Sequence, residues 1–206
     1  MPKRSPVLCF AVVAALGVLL ASARPVSAGV PPEVRAKAAA LFAALERIEA
    51  EYGKTRLAGH PGVAPPAAGT RRLTFGEDQL NAYAACRLED EGEPYVKGAQ
   101  LKLLAGDKIE GRITIDLGQA QASGLVPQKQ DLLFAARIET QDGTIRINMD
   151  TLYLGTQAIS PAFVDIVIGI VSRLQGYEPT TLKDWYKLPA GVQRLETRPG
   201  QVVVIY

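Results

Sequence analysis

The side chains that most often carry acid–base, nucleophilic and metal chemistry are scarce in this chain of 206 residues. The sequence contains one histidine, His60, and two cysteines, Cys9 and Cys86. His60 lies in a Gly-, Pro- and Ala-rich stretch, where a base would be held poorly for a Ser-His-Asp triad. A zinc site normally takes three or four Cys, His or carboxylate ligands. We therefore predict a solvated loop histidine, no metal site and no cofactor.

Neighbouring carboxylates offer a second kind of chemistry. Glu77 and Asp78 could act as a paired acid and base, as in glycosidases. Thr74 and Glu77, however, have the spacing of a capping box, which assigns Glu77 to the start of a helix. The acidic residues within 89–93 lack the alternating ligand pattern of a calcium loop and are typical of a solvated helix end. The prediction is a non-catalytic protein, and an enzyme that uses Glu77 is kept as an alternative.

The first 28 residues have the composition of a cleavable secretory signal peptide. The basic residues Lys3 and Arg4 precede an apolar run over residues 7–21. Val26-Ser27-Ala28 then supplies the small residues that signal peptidase accepts. The apolar run is shorter than the roughly 20 residues that a membrane-spanning helix needs. We therefore predict a periplasmic or secreted protein with no mature transmembrane span, for which membrane contact stays open. The alternative is an uncleaved inner-membrane anchor.

Removal of the signal peptide changes the charge balance. The chain holds 23 basic and 21 acidic residues, and the predicted signal peptide contains three of the basic ones, which leaves 20 against 21. A nucleic-acid partner would need a clustered basic face, which the sequence lacks, so we predict no nucleic-acid partner.

Cys86 is the cysteine left after processing, so no internal disulfide can form, and we predict that it is a small packing residue.

Two stretches of helical periodicity precede the β pattern. Apolar residues at helical spacing predict a helix over residues 31–52 that Gly53 ends, and the Gly-, Pro- and Ala-rich residues 53–70 predict a loop or flexible linker. A second helix is predicted to start near Gly76. The predicted domains are a signal peptide (1–28), an N-terminal helix with a flexible linker (29–70) and an α+β domain (71–206).

Alternation with a period of two predicts hairpins of β-strands. Apolar residues alternate with polar ones over 109–117, and a second hairpin turns at Asp142-Gly143. The phase shifts after Asp150, where we expect a β-bulge. A last hairpin, residues 192–206, turns at Pro199-Gly200. Because hairpins make antiparallel neighbours, the class is α+β with an antiparallel sheet.

A third helix is predicted over residues 160–174, with Ser160 as its N-cap and Pro161 in its first turn. Apolar residues cover nearly its whole circumference, which is typical of a helix buried on all sides. Helix and sheet could form an ordinary core, or they could enclose a tunnel or groove for an apolar ligand. The pattern alone favours the core.

The order of the elements resembles a known superfamily. Residues 73–83 (Leu-Thr-Phe-Gly-Glu-Asp-Gln-Leu-Asn-Ala-Tyr) open a helix, two long hairpins and an apolar helix follow, and residues 188–206 close the chain. This resembles the small bacterial envelope proteins of the tubular lipid-binding (TULIP-like) superfamily. The resemblance covers residues 72–206 and is sharpest at Leu80-Asn81 and at the terminal Pro-Gly hairpin. The chain lacks the lipobox cysteine of the lipoprotein members.

The resemblance implies a curved antiparallel sheet of hairpins packed around or against the apolar helix, with no fixed catalytic residues. The function it implies is non-catalytic periplasmic binding of a lipid or another long apolar ligand. The alternative is a cell-envelope assembly or interaction module with a solid core and a protein partner. The predicted ligand-binding side chains all face inward: Ile113, Ile115, Phe134, Ile147, Phe163, Val167 and Ile170.

Overall fold

The computed structural model describes residues 29–58, 71–91, 96–116, 129–160, 162, 165 and 181–206. The predicted signal peptide, most of the predicted linker and nearly all of the predicted third helix lie outside these residues. The helices are α1 (Pro32–Ala58) and α2 (Glu77–Glu91). The strands are β1 (Arg72–Gly76), β2 (Val96–Leu103), β3 (Lys108–Asp116), β4 (Lys129–Gln141), β5 (Thr144–Leu154), β6 (Gln157–Ala158), β7 (Tyr186–Lys187), β8 (Arg194–Arg198) and β9 (Gln201–Ile205).

The strands of the described segments form two antiparallel sheets. The larger one has the order β2-β3-β4-β5-β6, with β7 paired to the start of β5, and the smaller one has the order β1-β9-β8. The antiparallel sheet curls into a half-barrel, which confirms the predicted α+β class and curved sheet. The sequence did not indicate β1, which pairs with β9 and thereby places the terminal hairpin in a sheet of its own.

The predicted turns and the predicted bulge are confirmed. Asp142 and Gly143 have φ angles of 49° and 72°, and Gly200 has a φ of 69°. These left-handed conformations are the ones that glycine and aspartate tolerate best in tight turns. Between Ala135 and Ala136 the register of β4 against β5 shifts by one residue, which leaves Asp150 as the extra residue of a bulge.

The helix ends differ from the prediction in two places. α1 continues through Gly53 to Ala58, because one interior glycine costs only about 1 kcal/mol relative to alanine. α2 does begin after Gly76, but the capping box predicted for Thr74 and Glu77 is wrong. Instead, the Gly76 N–H donates a hydrogen bond to Oε1 of Gln79 at 2.9 Å, so the glutamine at the third helical position reaches back to the cap.

A continuous hydrophobic core joins the helices to both sheets. The rings of Phe42 on α1 and Tyr83 on α2 are 4.5 Å apart between centroids, and the two helices pack as a pair. Cys86 is buried in this core, which confirms its predicted packing role. Core side chains with essentially no exposed surface are Leu41, Leu103, Ile109, Ile113, Ile145, Ile147, Leu182 and Val192.

The structure describes three residues at the start of the predicted third helix, Ser160, Ala162 and Asp165. Ser160 accepts a hydrogen bond from the Ala162 N–H at 3.3 Å through its hydroxyl oxygen, as expected for the predicted N-cap. Asp165 in turn accepts a hydrogen bond from the Leu182 N–H at 2.7 Å.

No helix within the described residues has both the length and the apolar character needed to cross a membrane.

Candidate functional site

The predicted ligand-binding residues that the structure describes lie in or beside the core. Ile113, Phe134 and Ile147 are 0%, 4% and 1% exposed, and Ile115 is half-buried and packs against the same core. The other three predicted residues, Phe163, Val167 and Ile170, lie outside the described residues. In the described part of the chain, the inner face of the larger sheet is therefore filled with side chains.

A groove of about 950 Å³ lies on the opposite face of the larger sheet. Leu133 and Ala135 border it and alternate along β4 with the buried Leu132 and Phe134, which identifies its floor as the outer face. The floor side chains come from four strands: Gln100, Lys102, Glu110, Arg112, Leu133, Ala135, Thr151 and Tyr153. The walls come from the two helices: Val34, Lys37, Glu77, Asp78, Asn81, Ala82 and Ala85.

Side chains of α2 hold the wall of the groove against the edge of the sheet. β2 is the outermost strand, so one side of its backbone has no strand partner. Asn81 accepts a hydrogen bond from the Leu101 N–H at 2.7 Å and donates one to the Leu101 carbonyl oxygen at 2.8 Å. Glu77 accepts a hydrogen bond from the Leu103 N–H at 2.6 Å. The two side chains thus satisfy edge backbone groups that would otherwise be open to another strand.

Apolar surface runs through the middle of the groove. Leu133 and Ala135 on the floor are half-buried, and Tyr153 beside them is 41% exposed. Ala82 and Ala85 line the wall on α2, and the outward-facing side chains of β2 and β3 lie between this wall and the strip. The result is an apolar strip with room above it, bounded by charged residues.

The charged residues around the strip carry both signs. Lys37 of α1 is 3.9 Å from Asp78 of α2, and Lys102 of β2 is 3.4 Å from Glu110 of β3. These side chains are half or more exposed, so each pair contributes little to stability and can reorganise around a ligand. The groove is therefore amphipathic, with balanced charge around an apolar strip.

The described residues contain little that resembles a catalytic centre. No group of three or more His, Cys, Asp or Glu side chains among them could hold a metal ion. Glu77, the candidate acid of the enzyme alternative, binds the backbone of Leu103 and so has a structural partner. Burial raises the pKa of the Cys86 thiol, the opposite of what activates a nucleophilic cysteine. His60 lies outside the described residues.

Comparison with known proteins gives no relative from which a function could be transferred. No family model, no curated protein and no solved structure matches the chain. The resemblance to the tubular lipid-binding superfamily accordingly stays a prediction. The groove and its chemistry are the observations on which a function can be based.

Of the described residues predicted to bind a ligand, Phe134 borders the groove, but the floor of the groove was not predicted, although the sequence carries a signal for it. A strand with one wet face has polar residues at every second position, whereas residues 132–136 of β4 are all apolar. Leu133 and Ala135 therefore place apolar side chains on the face of β4 that points away from the core. An uninterrupted apolar run in a strand indicates that both faces are covered or that one of them binds something.

Proposed function

We propose that this chain is an exported, non-catalytic binding protein of the cell envelope that holds a lipid or another long apolar ligand in the groove. The observation that carries the proposal is the apolar strip of Leu133, Ala135 and Tyr153 on an outer sheet face, under an open volume of about 950 Å³. Small-molecule sites commonly have volumes of about 300–1,000 Å³ and mostly apolar linings.

The affinity would come mainly from removing an alkyl chain from water. Each methylene that leaves water contributes about 0.8 kcal/mol. An acyl chain lying along β4 would contact Leu133, Ala135 and, on the neighbouring strand, Tyr153. The charged residues at the border, such as Lys102 and Glu110, suit a ligand with a polar head of low net charge, because the border offers both signs.

The inner face of the sheet is the second place where a ligand could lie, as the resemblance implies. Among the described residues predicted to face inward, Ile115 is half-buried, whereas Ile113, Phe134 and Ile147 are buried. The predicted residues of the third helix would complete this inner site. The groove and the inner site would hold the same class of ligand on opposite faces of one sheet. A single substitution on one face can therefore show which of the two sites binds the ligand.

A second candidate function is the interaction module with a protein partner, and one observation favours it. Trp185 is 41% exposed, and the Arg146 guanidinium lies 4.7 Å from the centroid of its ring. Tyr52 on α1 is also exposed, at 44%. Exposed tryptophan, tyrosine and arginine are the residues most often found at the centres of protein interfaces. The groove would then hold a segment of a partner protein.

The test is the ligand content of the mature protein purified from its native envelope. Organic extraction followed by mass spectrometry should yield acyl-chain lipid at near-stoichiometric amounts. Ala135→Trp fills the floor of the groove and should lower the affinity for lipid at least ten-fold, equivalent to about 1.4 kcal/mol, so the extracted lipid should fall below the wild-type amount. Arg137→Trp is the matched control, because it lies on the same strand and face but outside the groove, and it should keep its lipid.

Ile115→Trp distinguishes the inner site from the groove. If the lipid lies in the groove, Ile115→Trp should keep it and lose stability, because overpacking a core typically costs about 1–3 kcal/mol. If Ile115→Trp loses lipid and Ala135→Trp keeps it, the ligand lies on the inner face. A wild-type protein that yields no lipid contradicts the binding proposal and favours the interaction module.

A further inference from the structure

Glu89, in the last turn of α2, contacts the first residues that the structure describes. The backbone N–H groups of Gly29 and Val30 both donate hydrogen bonds to Oε1 of Glu89, the second at 3.1 Å. Nη2 of Arg35 donates to the other carboxylate oxygen, Oε2, at 2.6 Å. One carboxylate thus joins α2 to the segment that leads into α1.

The surroundings of this carboxylate make the contact specific. The side chain of Glu89 is 13% exposed and that of Arg35 is 30% exposed, so the ion pair is largely removed from water. Nε of Arg35 also donates to the Val30 carbonyl oxygen at 3.1 Å, which fixes the backbone that presents the N–H groups. Among the described residues, the Cys86 thiol on α2 is acted on by Arg35, Glu89 and Asp90, which places Cys86 and Asp90 near this ion pair.

Position 29 favours glycine as long as Glu89 keeps this contact. A Cβ atom built there would lie 2.7 Å from Oε1 of Glu89, closer than real Cβ atoms come to other heavy atoms. Any side chain at this position would therefore push the carboxylate away from Gly29 and Val30. This restriction on position 29 follows from the same close approach of Glu89 that forms the hydrogen bond to the Gly29 nitrogen.

The nitrogen that Glu89 approaches is the one that processing would release. The small residues Val26-Ser27-Ala28 predict cleavage of the Ala28–Gly29 peptide bond by signal peptidase. In that hydrolysis, water adds across the amide, the carbonyl carbon leaves as the Ala28 carboxylate, and the nitrogen leaves as the Gly29 α-ammonium. A neutral amide donor would become a cation with three donors at the same place.

We propose that Glu89 is the binding site for the new N-terminus, so that the α-ammonium of Gly29 forms an ion pair with it after signal-peptide cleavage. The proposal rests on the export part of the proposed function and is independent of the ligand. A hydrogen bond between two charged groups is stronger than one from a neutral amide. Cleavage therefore strengthens the attachment of α1 to α2 in the mature protein and not in the precursor.

The attachment also affects the groove. Val34 and Lys37, in the first turns of α1, belong to its wall, and they follow the attached segment within eight residues. Fixing Gly29 and Val30 to α2 restricts how far the start of α1 can move away from the floor. We expect the wall to be complete in the processed protein, whose N-terminus carries the charge that Glu89 binds.

The test compares three N-termini on the otherwise identical mature chain: free Gly29, Nα-acetylated Gly29, and a chain extended by Ala28. At pH 7 the chain with the free Gly29 amine should melt about 2–4 °C above the other two, the usual size of a modest stabilisation in a chain of this length. The difference should vanish in Glu89→Gln, which keeps the shape of the side chain. Asp90→Asn is the matched control and should leave the difference unchanged.

The pH dependence provides a second readout. A carboxylate partner raises the pKa of the α-ammonium above the value of about 8 that it has in an unfolded chain. The stabilisation is therefore complete below pH 8 and is lost as the pH rises through the raised pKa in the folded protein. The advantage of free over acetylated Gly29 should thus disappear at pH 10 to 11.

The melting temperatures test the role of Glu89, and the mass of the exported protein tests the predicted cleavage site. If free and acetylated Gly29 melt at the same temperature, or if their difference survives in Glu89→Gln, Glu89 does not bind the N-terminus and the proposal is overturned. Intact-mass measurement of the exported protein tests the premise directly, and a first residue other than Gly29 overturns it as well. The lipid content of the wild-type protein is measured separately and tests the proposed function.

Discussion

The ring of Phe134 on β4 covers Gly111, its directly opposite partner on β3. A Cβ atom on Gly111 would overlap Cζ and Cε1 of this ring, so the aromatic side chain occupies the space that the glycine leaves. An aromatic residue across from a strand glycine compensates for the missing side chain by packing over it. This pair helps to fill the inner face of the larger sheet and positions the stretch of β4 whose other face forms the floor of the groove.

The first prediction tests the Gly111–Phe134 pair. Gly111→Ala should destabilise the protein by about 1–3 kcal/mol, because the ring must leave its place in a packed core. Gly98→Ala on the neighbouring strand is the control, since a Cβ there meets nothing within 4 Å, and it should change stability by no more than about 0.5 kcal/mol. Urea unfolding of both variants measures the difference. Equal effects would show that the ring is free to move.

The second prediction concerns the edge of β2. Asn81→Ala leaves the Leu101 N–H and carbonyl without partners beside a nearly buried side chain, and it should lower the free energy of unfolding by about 2–3 kcal/mol. Asp78→Ala, on an exposed part of the same helix, removes a weak ion pair and should cost less than about 1 kcal/mol. Chemical denaturation of the two variants checks the contrast.

Asn81→Ala has a second expected consequence. An uncovered edge strand is a template for pairing with another chain, so the variant should associate at concentrations where the wild type does not. Light scattering over a concentration series detects this association. A variant that is destabilised and yet shows the same molecular mass as the wild type would limit the role of Asn81 to stability.

The third prediction follows from the burial of Cys86. Burial raises the pKa of this thiol from its ordinary value of 9.0, the nearby Arg35 lowers it, and the carboxylates of Asp90 and Glu89 raise it further. The unfolded chain therefore ionises before the folded one as the pH increases. The free energy of unfolding should fall above pH 9 for this reason, while below pH 9 the thiol makes no pH-dependent contribution.

The comparison for this prediction is the slope of stability against pH in wild type and Cys86→Ala. The variant lacks the thiol and should show a shallower decline between pH 9 and 10.5, whatever its absolute stability. The folded wild type should also react with a thiol reagent at pH 8 much more slowly than the unfolded chain, because the thiolate is the reactive form. Rapid labelling of the folded protein would contradict the burial of Cys86.

Local patterns in the sequence determined the long strands of the hairpins, the turns and the class of the fold. Asp142-Gly143 and Pro199-Gly200 predicted turns because their backbone preferences act within four residues, and the phase change after Asp150 predicted the bulge for the same reason. The buried face of β3 followed from the alternation of apolar and polar residues. The α+β class then followed from the number of hairpins, because hairpins enforce antiparallel neighbours.

The tertiary structure alone decided which elements meet. Nothing near β1 in the sequence indicates that it pairs with β9, and nothing near Asn81 indicates that its amide covers the backbone of Leu101. The contact of Glu89 with Gly29 joins residues 60 positions apart. Such contacts depend on how helices and sheets pack in space, whereas propensity and periodicity describe one element at a time. For that reason the sequence specified the inner face of the sheet, and only the packing of α1 and α2 beside β2 created a groove on the outer face.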